Sequence, residues 1–195
     1  MGREFELKYR CEAEVLKKIE AEMGGFTPIS MKTTYYDTFD GKLRNAHWTL
    51  RCREENGIHV CTVKIPEGET ARGEWEVESS SIMAAVPKLC KLGAPIRLME
   101  FCVNGVVPIC GAEFTRLVRP VELRDGICEL ALDCGKLLGR GREVAFAEVE
   151  VEAKTCSDAA AAAFSEELAK KYTLTAENRS KFLRAMLLAC GGEVN

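Results

Sequence analysis

Glu4, Glu6 and Lys8 alternate with Phe5 and Leu7 near the start of the chain. In an extended strand, alternate side chains share one face, so two carboxylates and an ammonium would project together, with Arg10 next in line. Such a face suits a metal ion held beside an anion. A solvated amphipathic strand reads the same way, so the segment gains meaning only from what recurs later. It recurs at Glu148, Glu150 and Glu152, which alternate with Val149 and Val151. Three carboxylates on one strand face repel one another unless a cation lies among them. Oxygen donors alone suit Mg2+ or Mn2+, with Ca2+ as a further candidate.

Cations follow the same pattern. Arg51 and Arg53 share a strand face, and a guanidinium fork matches phosphate oxygens in a bidentate way. Thr62 and Lys64 share another face, as do Arg72, Glu74, Glu76 and Glu78. Arg116 and Arg119 fall on opposite faces of a regular strand, and spacing does not say which of the two points inward. Asp133 follows the apolar alternation of Leu130 and Leu132, and Lys181 lies in the last helical segment. Each has a bland counterpart: a solvated R-x-R pair is common, and a lone helix lysine usually faces water. Tyr35 and Tyr36 read as packing residues. The chain has no G-x-x-x-x-G-K-[ST] phosphate loop and no G-x-S-x-G nucleophile elbow.

The elements that must position these groups are strands joined by tight turns. Strand patterns cover about 3–10, 32–38, 47–54, 58–65, 72–79, 112–123, 126–133 and 143–154, and helical patterns about 11–23, 80–92, 157–172 and 178–190. Asp40-Gly41, Asn56-Gly57, Asp125-Gly126 and Gly139-Arg140-Gly141 supply turns, and Ser157 or Asp158 supplies a helix N-cap. With 195 residues, 47% of them hydrophobic, one domain spanning 1–195 is expected. The fold class is α+β: an eight-stranded antiparallel closed β-barrel, flanked by helices. In many strands one face is charged and the other apolar. If the apolar faces pack under the helices, the charged faces line the inside. A polar interior is costly unless its charges are paired, hydrated or holding a ligand, so a ligand-binding tunnel is expected.

A net charge of −3 and a pI near 5.6 argue against broad nucleic-acid or anionic-membrane binding, while leaving room for a local basic cavity. Ten cysteines without a C-x-x-C pair, and only two histidines, make a zinc site unexpected. No apolar stretch resembles a signal peptide or a membrane span, and the thiols fit a reducing, cytoplasmic compartment.

Taken in order, these segments resemble the CYTH superfamily, the triphosphate tunnel metalloenzymes. The resemblance rests on E-x-E-x-K at Glu4, Glu6 and Lys8, R-x-R at Arg51 and Arg53, Lys64, R-x-E at Arg72 and Glu74, the arginines at 116–119, Asp133, E-x-E at Glu148 and Glu150, and Lys181. Any one motif is nonspecific, but eight occur in order across nearly the whole chain. The segments Tyr35–Thr38 and Leu50–Gly57 look most like bacterial inorganic triphosphatases. The resemblance implies a tunnel that binds a linear triphosphate with Mg2+ or Mn2+, where Ca2+ would inhibit. Lys8, Arg51, Arg53, Lys64, Arg72, one or both of Arg116 and Arg119, and Lys181 would hold phosphates. Glu4, Glu6, Asp133, Glu148 and Glu150 would hold metal. Glu74 and Glu76 would order the cations or position water, and Glu152 lies one alternation beyond the metal pair. The expected reaction is hydrolysis of tripolyphosphate to pyrophosphate and phosphate. Thiamine triphosphatase activity, class IV adenylate cyclase activity and a non-catalytic polyphosphate-binding module are the alternatives, with Trp48 and Trp75 as candidate contacts for an organic group.

Overall fold

The computed structural model describes residues 5–67, 71–192 and 194. Its strands are β1 (Glu6–Arg10), β2 (Thr27–Asp37), β3 (Thr49–Glu55), β4 (Ile58–Glu67), β5 (Ala71–Glu78), β6 (Val107–Leu123), β7 (Gly126–Gly139), β8 (Arg142–Ala153) and β9 (Thr175–Ala176). Its helices are α1 (Ala13–Met23), α2 (Lys42–Asn45), α3 (Ile82–Lys91), α4 (Arg97–Cys102), α5 (Asp158–Tyr172) and α6 (Lys181–Ala189). One antiparallel sheet runs in the order β5-β4-β3-β2-β6-β7-β8-β1-β9. The α+β class stands, but the closed eight-stranded barrel does not. Among the described residues the sheet has nine strands and remains open, with β5 at one edge and β9 at the other. The free edge of β1 is partly taken by β9, at Tyr9↔Ala176 and Arg10↔Thr175. Glu74 and Glu76 on β5 and Glu6 on β1 would also bring like charges together if the edges met, which disfavours closure.

Local chemistry accounts for the elements. Asn56 and Gly57 both take positive φ (48° and 88°), the two-residue hairpin turn whose twist matches the flanking strands. That turn sets the β3–β4 register at Glu55↔Ile58 and Arg51↔Thr62. Serines cap three helices: Ser81, Ser157 and Ser180 accept from the amides of Ala84, Ala160 and Leu183. The short α2, α4 and β9 had no periodic signal. β7 runs past Asp133 to Gly139, where a Cβ would sit 2.6 Å from the Ala189 amide nitrogen. Glycine there lets α6 lie directly on the sheet.

The period-two alternation sorts side chains as the charges suggested. Leu130, Leu132, Val149 and Val151 are buried in one cluster with Leu16 and Ile19 of α1 and Ala161 and Leu168 of α5. Leu50, Cys61, Val63 and Ile65 pack with Val86 and Leu89 of α3 and Leu98 of α4. The charged faces of β1, β3, β4, β5 and β8 are left on the concave side. There α6 packs against β6, β7 and β8, and the Lys181 ammonium lies over the rings of Phe114 and Phe146, 5.2 and 5.5 Å from their centroids.

Candidate functional site

The concave side encloses a cavity of about 500 Å³ lined by groups from both halves of the sheet. Lys8, Arg51, Arg53, Lys64, Arg116 and Lys181 all reach it, together with Glu6, Glu74, Glu76 and Glu150. Strand register explains the convergence. Lys8 lies opposite Glu150, Arg51 opposite Thr62, Thr62 opposite Glu76, and Lys64 opposite Glu74.

On the β3–β5 wall the two arginines are loosely paired. Arg51 Nη2 lies 3.6 Å from Glu74 Oε1 and 3.7 Å from Glu76 Oε1, and Lys64 Nζ lies 2.8 Å from Glu74 Oε2. Thr62 Oγ1 donates to Glu76 Oε1 at 2.8 Å. Arg53 donates to Thr33 Oγ1 at 3.4 Å and to Glu55 at 3.3 Å. Burial, and then the neighbouring Arg51 charge, lowers the pKa of Arg53. Arg51 Nε is buried with no hydrogen-bond partner among the described residues. Crowded cations with an unsatisfied buried donor are suited to receive an anion with several oxygens.

The β6–β8 wall is tightly paired. Arg116 donates to both Asp133 oxygens, at 2.8 and 2.7 Å, and also to Glu150. Lys181 Nζ lies 2.8 Å from Asp133, 2.6 Å from Glu148 and 2.6 Å from Glu150. Arg184 of α6 pairs with the other oxygen of Glu148. Burial opposes the charge on Lys181, but Glu150, Asp133 and Glu148 outweigh it and raise its pKa. Burial likewise opposes ionisation of Glu150, yet Lys181 and Arg116 hold its pKa low.

Asp133, Glu148 and Glu150 present ligand oxygens within 4.8 Å of one another, a donor set that a divalent cation could use. The Lys181 ammonium touches all three, however, and Asp133 and Glu148 are 0% exposed. These two, expected to hold metal, pair here with Lys181, Arg116 and Arg184 under α6 and remain part of the acidic group that could hold a cation. Besides Glu55, Glu74 and Glu76, the carboxylates that line the cavity are Glu150, Glu6, Glu129 and Glu152, with Lys154 at 2.7 Å from Glu152. The cavity residues therefore fit a hard cation beside a polyanion, with Glu150 shared between the two acidic groups.

Other expected residues sort as follows. Arg119 is directed away: it donates to the carbonyls of Met23 and Gly24 at 2.6 and 2.8 Å and lies over Phe26. Regular alternation puts it on the face opposite Arg116. Glu4 lies outside the described residues, as does the side chain of Arg72, whose backbone sits in β5 opposite Pro66. Trp48 stacks with Phe101, and Trp75 joins the same convex cluster, so neither reaches the cavity. Glu129, Lys154 and Arg184 were not anticipated. Extending the alternation from Asp133 back to Glu129, and from Glu152 on to Lys154, would have found the first two; Arg184 lies three residues past Lys181, on the same helix face.

Comparisons with known proteins agree with this geometry. The family model described as CYTH domain matches residues 2–186. An inorganic triphosphatase from Haemophilus influenzae is 25% identical over 164 residues, covering 80% of this chain. The chain spans about half the length of that relative, 46%. Among solved structures, a putative adenylyl cyclase from Hippeastrum, described as having a dominant triphosphatase activity, aligns with a TM-score of 0.69 at 19% identity. The alignment covers 98% of this chain and 97% of that one. A putative adenylate cyclase from Bacillus halodurans aligns with a TM-score of 0.55 at 19% identity, over 91% and 93% of the two chains. At these identities the structural likenesses establish the fold.

Proposed function

The chain belongs to the CYTH family, and from that premise we propose that it hydrolyses inorganic triphosphate to pyrophosphate and phosphate inside this cavity. The observation that carries the reading is the convergence of seven cations, among the described residues, on one cavity, with the Arg51 Nε buried and without a hydrogen-bond partner beside them. The inorganic triphosphatase from Haemophilus influenzae supports it as a relative. Trp48 and Trp75 pack outside the cavity, whose aromatic lining is Tyr35, Phe114 and Phe182, so the substrate panel below decides between tripolyphosphate and an organic triphosphate.

Arg51, Arg53, Lys64 and Lys8 bind phosphate oxygens, and the substrate replaces the contacts of Arg51 and Lys64 with Glu74 and Glu76 at 2.8–3.7 Å. Arg116 and Lys181, held by carboxylates behind them, present the opposite side of the cradle. Holding the chain in line is most of what phosphoryl transfer asks of a protein. Water attacks a terminal phosphorus, a bond to that oxygen forms, and the bridging P–O bond breaks to release pyrophosphate. A cavity carboxylate such as Glu74 or Glu76 takes the water proton before it passes to solvent.

Glu6, Glu150 and Glu152 are the residues we assign to a divalent cation, with Glu4 as a further candidate. Mg2+ or Mn2+ bound there supplies neutralisation of phosphate charge. The test is a panel of tripolyphosphate, thiamine triphosphate, ATP and long polyphosphate, each with Mg2+ and with Mn2+. Phosphate release fastest from tripolyphosphate is expected. Cyclic AMP from ATP, or faster turnover of thiamine triphosphate, would replace this reading, and binding without any turnover would reduce the protein to a polyphosphate receptor.

A further inference from the structure

Arg184 lies three residues beyond Lys181 on α6 and is 4% exposed, yet it does not line the cavity. It reaches the buried Glu148, whose other oxygen meets Lys181 at 2.6 Å. Its guanidinium lies 5.5 Å from the centroid of Phe146, a ring that Lys181 also covers. One helix thus brings two cations to a single fully buried carboxylate. Around them, three carboxylates (Asp133, Glu148 and Glu150) face three cations (Arg116, Lys181 and Arg184), so the group is neutral as it stands.

We propose that Arg184 is a positioning residue that sets the electrostatic sign of this wall. By compensating Glu148 it frees the charge of Lys181 for a phosphate ligand, an inference that rests on the triphosphate reading of the cavity. Without Arg184 the group carries one uncompensated negative charge. Lys181 is then committed to Glu148, and the wall repels a polyanion and attracts a divalent cation.

Binding by calorimetry in chelator, where nothing turns over, isolates the effect on tripolyphosphate, and Mn2+ titration without phosphate reads the opposite sign. Arg184→Met is expected to weaken tripolyphosphate about tenfold or more and to tighten Mn2+ by a similar factor. Arg184→Lys should restore both to within a few-fold of the natural protein. The double variant Arg184→Met with Glu148→Gln, neutral again, should regain tripolyphosphate affinity, which a merely structural role for Arg184 would not produce. If Arg184→Met fails to fold, Glu148→Gln alone decides by comparison with the double variant: it should bind tripolyphosphate more tightly, by about tenfold. Equal affinity of those two, or an Arg184→Met protein with both affinities unchanged, overturns the proposal. Were the natural protein to bind no tripolyphosphate, the function reading would fail, and the Mn2+ titration would still decide Arg184: tighter Mn2+ sustains the charge-balance role and unchanged Mn2+ ends it.

Discussion

On the β3–β5 side of the cavity Arg51 meets its carboxylates at 3.6 and 3.7 Å, with one nitrogen buried and unpaired. On the β6–β8 side Arg116 grips Asp133 at 2.8 and 2.7 Å, and that carboxylate is wholly buried. Both walls are built from the same residue types on alternating strands, but α6 covers only the second. Cover removes water, tightens the pairs and commits the charges to one another. The open wall keeps Arg51 loosely held, so an incoming anion can take over its contacts, whereas Arg116 and Lys181 meet that anion with their carboxylates still bound behind them. Burial of the partner carboxylate and pairing distance, rather than residue type, separate an arginine whose pairs hold the fold from one whose pairs can open to a ligand.

The sharpest way to break this comparison is to remove one arginine from each wall. Arg116→Ala leaves Asp133 and Glu150 buried without their guanidinium, and a loss of about 3–5 kcal/mol is expected in urea unfolding. Arg51→Ala should cost stability less than about 1 kcal/mol, because its pairs are long and its partner carboxylates Glu74 and Glu76 are reachable by water. Its cost falls on the ligand instead, with tripolyphosphate affinity down roughly 10- to 100-fold by calorimetry. If the two variants behaved alike in both assays, the division between the walls would be wrong.

A smaller effect comes from Arg119→Ala, which removes two hydrogen bonds to carbonyls on the far face of the sheet. About 1–3 kcal/mol of stability should go, with tripolyphosphate affinity unchanged. Weakened binding would place Arg119 in the tunnel after all.

The smallest expected effect is that of pH on the covered wall. Burial works against the Glu150 carboxylate, but Lys181 and Arg116 more than offset it, so its folded pKa lies below the ordinary 4.5. Its contribution is therefore present above pH 4.5 and fades only as pH falls through the lower folded value. Burial works against the Lys181 ammonium too, and Glu150, Asp133 and Glu148 hold its folded pKa above the ordinary 10.5. That contribution is complete below pH 10.5 and fades as pH rises through the higher folded value. Between roughly pH 5 and 10 the network should add no slope to stability. The drop expected from Arg116→Ala should accordingly be the same at pH 6 and pH 9, and a difference above about 1 kcal/mol between them would contradict the pairing.

Much of this arrangement was legible in the sequence because strand alternation is a local property. Glu6, Lys8, Arg51, Lys64 and Glu150 point inward for the same reason that Leu130, Val149 and Val151 point outward. The Asn56-Gly57 turn and the serine caps were legible too, each resting on the conformational preference of one or two residues. Depth was not legible. Glu148 and Glu150 occupy the same strand face two residues apart, and only the docking of α6 buries the first completely while leaving the second open to the cavity. The arginine pair resolves only once the sheet is assembled, when Arg119 finds the carbonyls at the end of α1. Closure failed for a related reason: the two-residue β9 is too short to leave a pattern, yet it takes part of the edge that a closed barrel would need.

The central claim is that a linear triphosphate is cut in this cavity, and the ratio of its products tests that claim most directly. With Mg2+ or Mn2+, the natural protein should release phosphate and pyrophosphate from tripolyphosphate in equal amounts, and Glu150→Gln should release neither above background. No phosphate from the natural protein with either metal, or undiminished release by Glu150→Gln, would contradict the account.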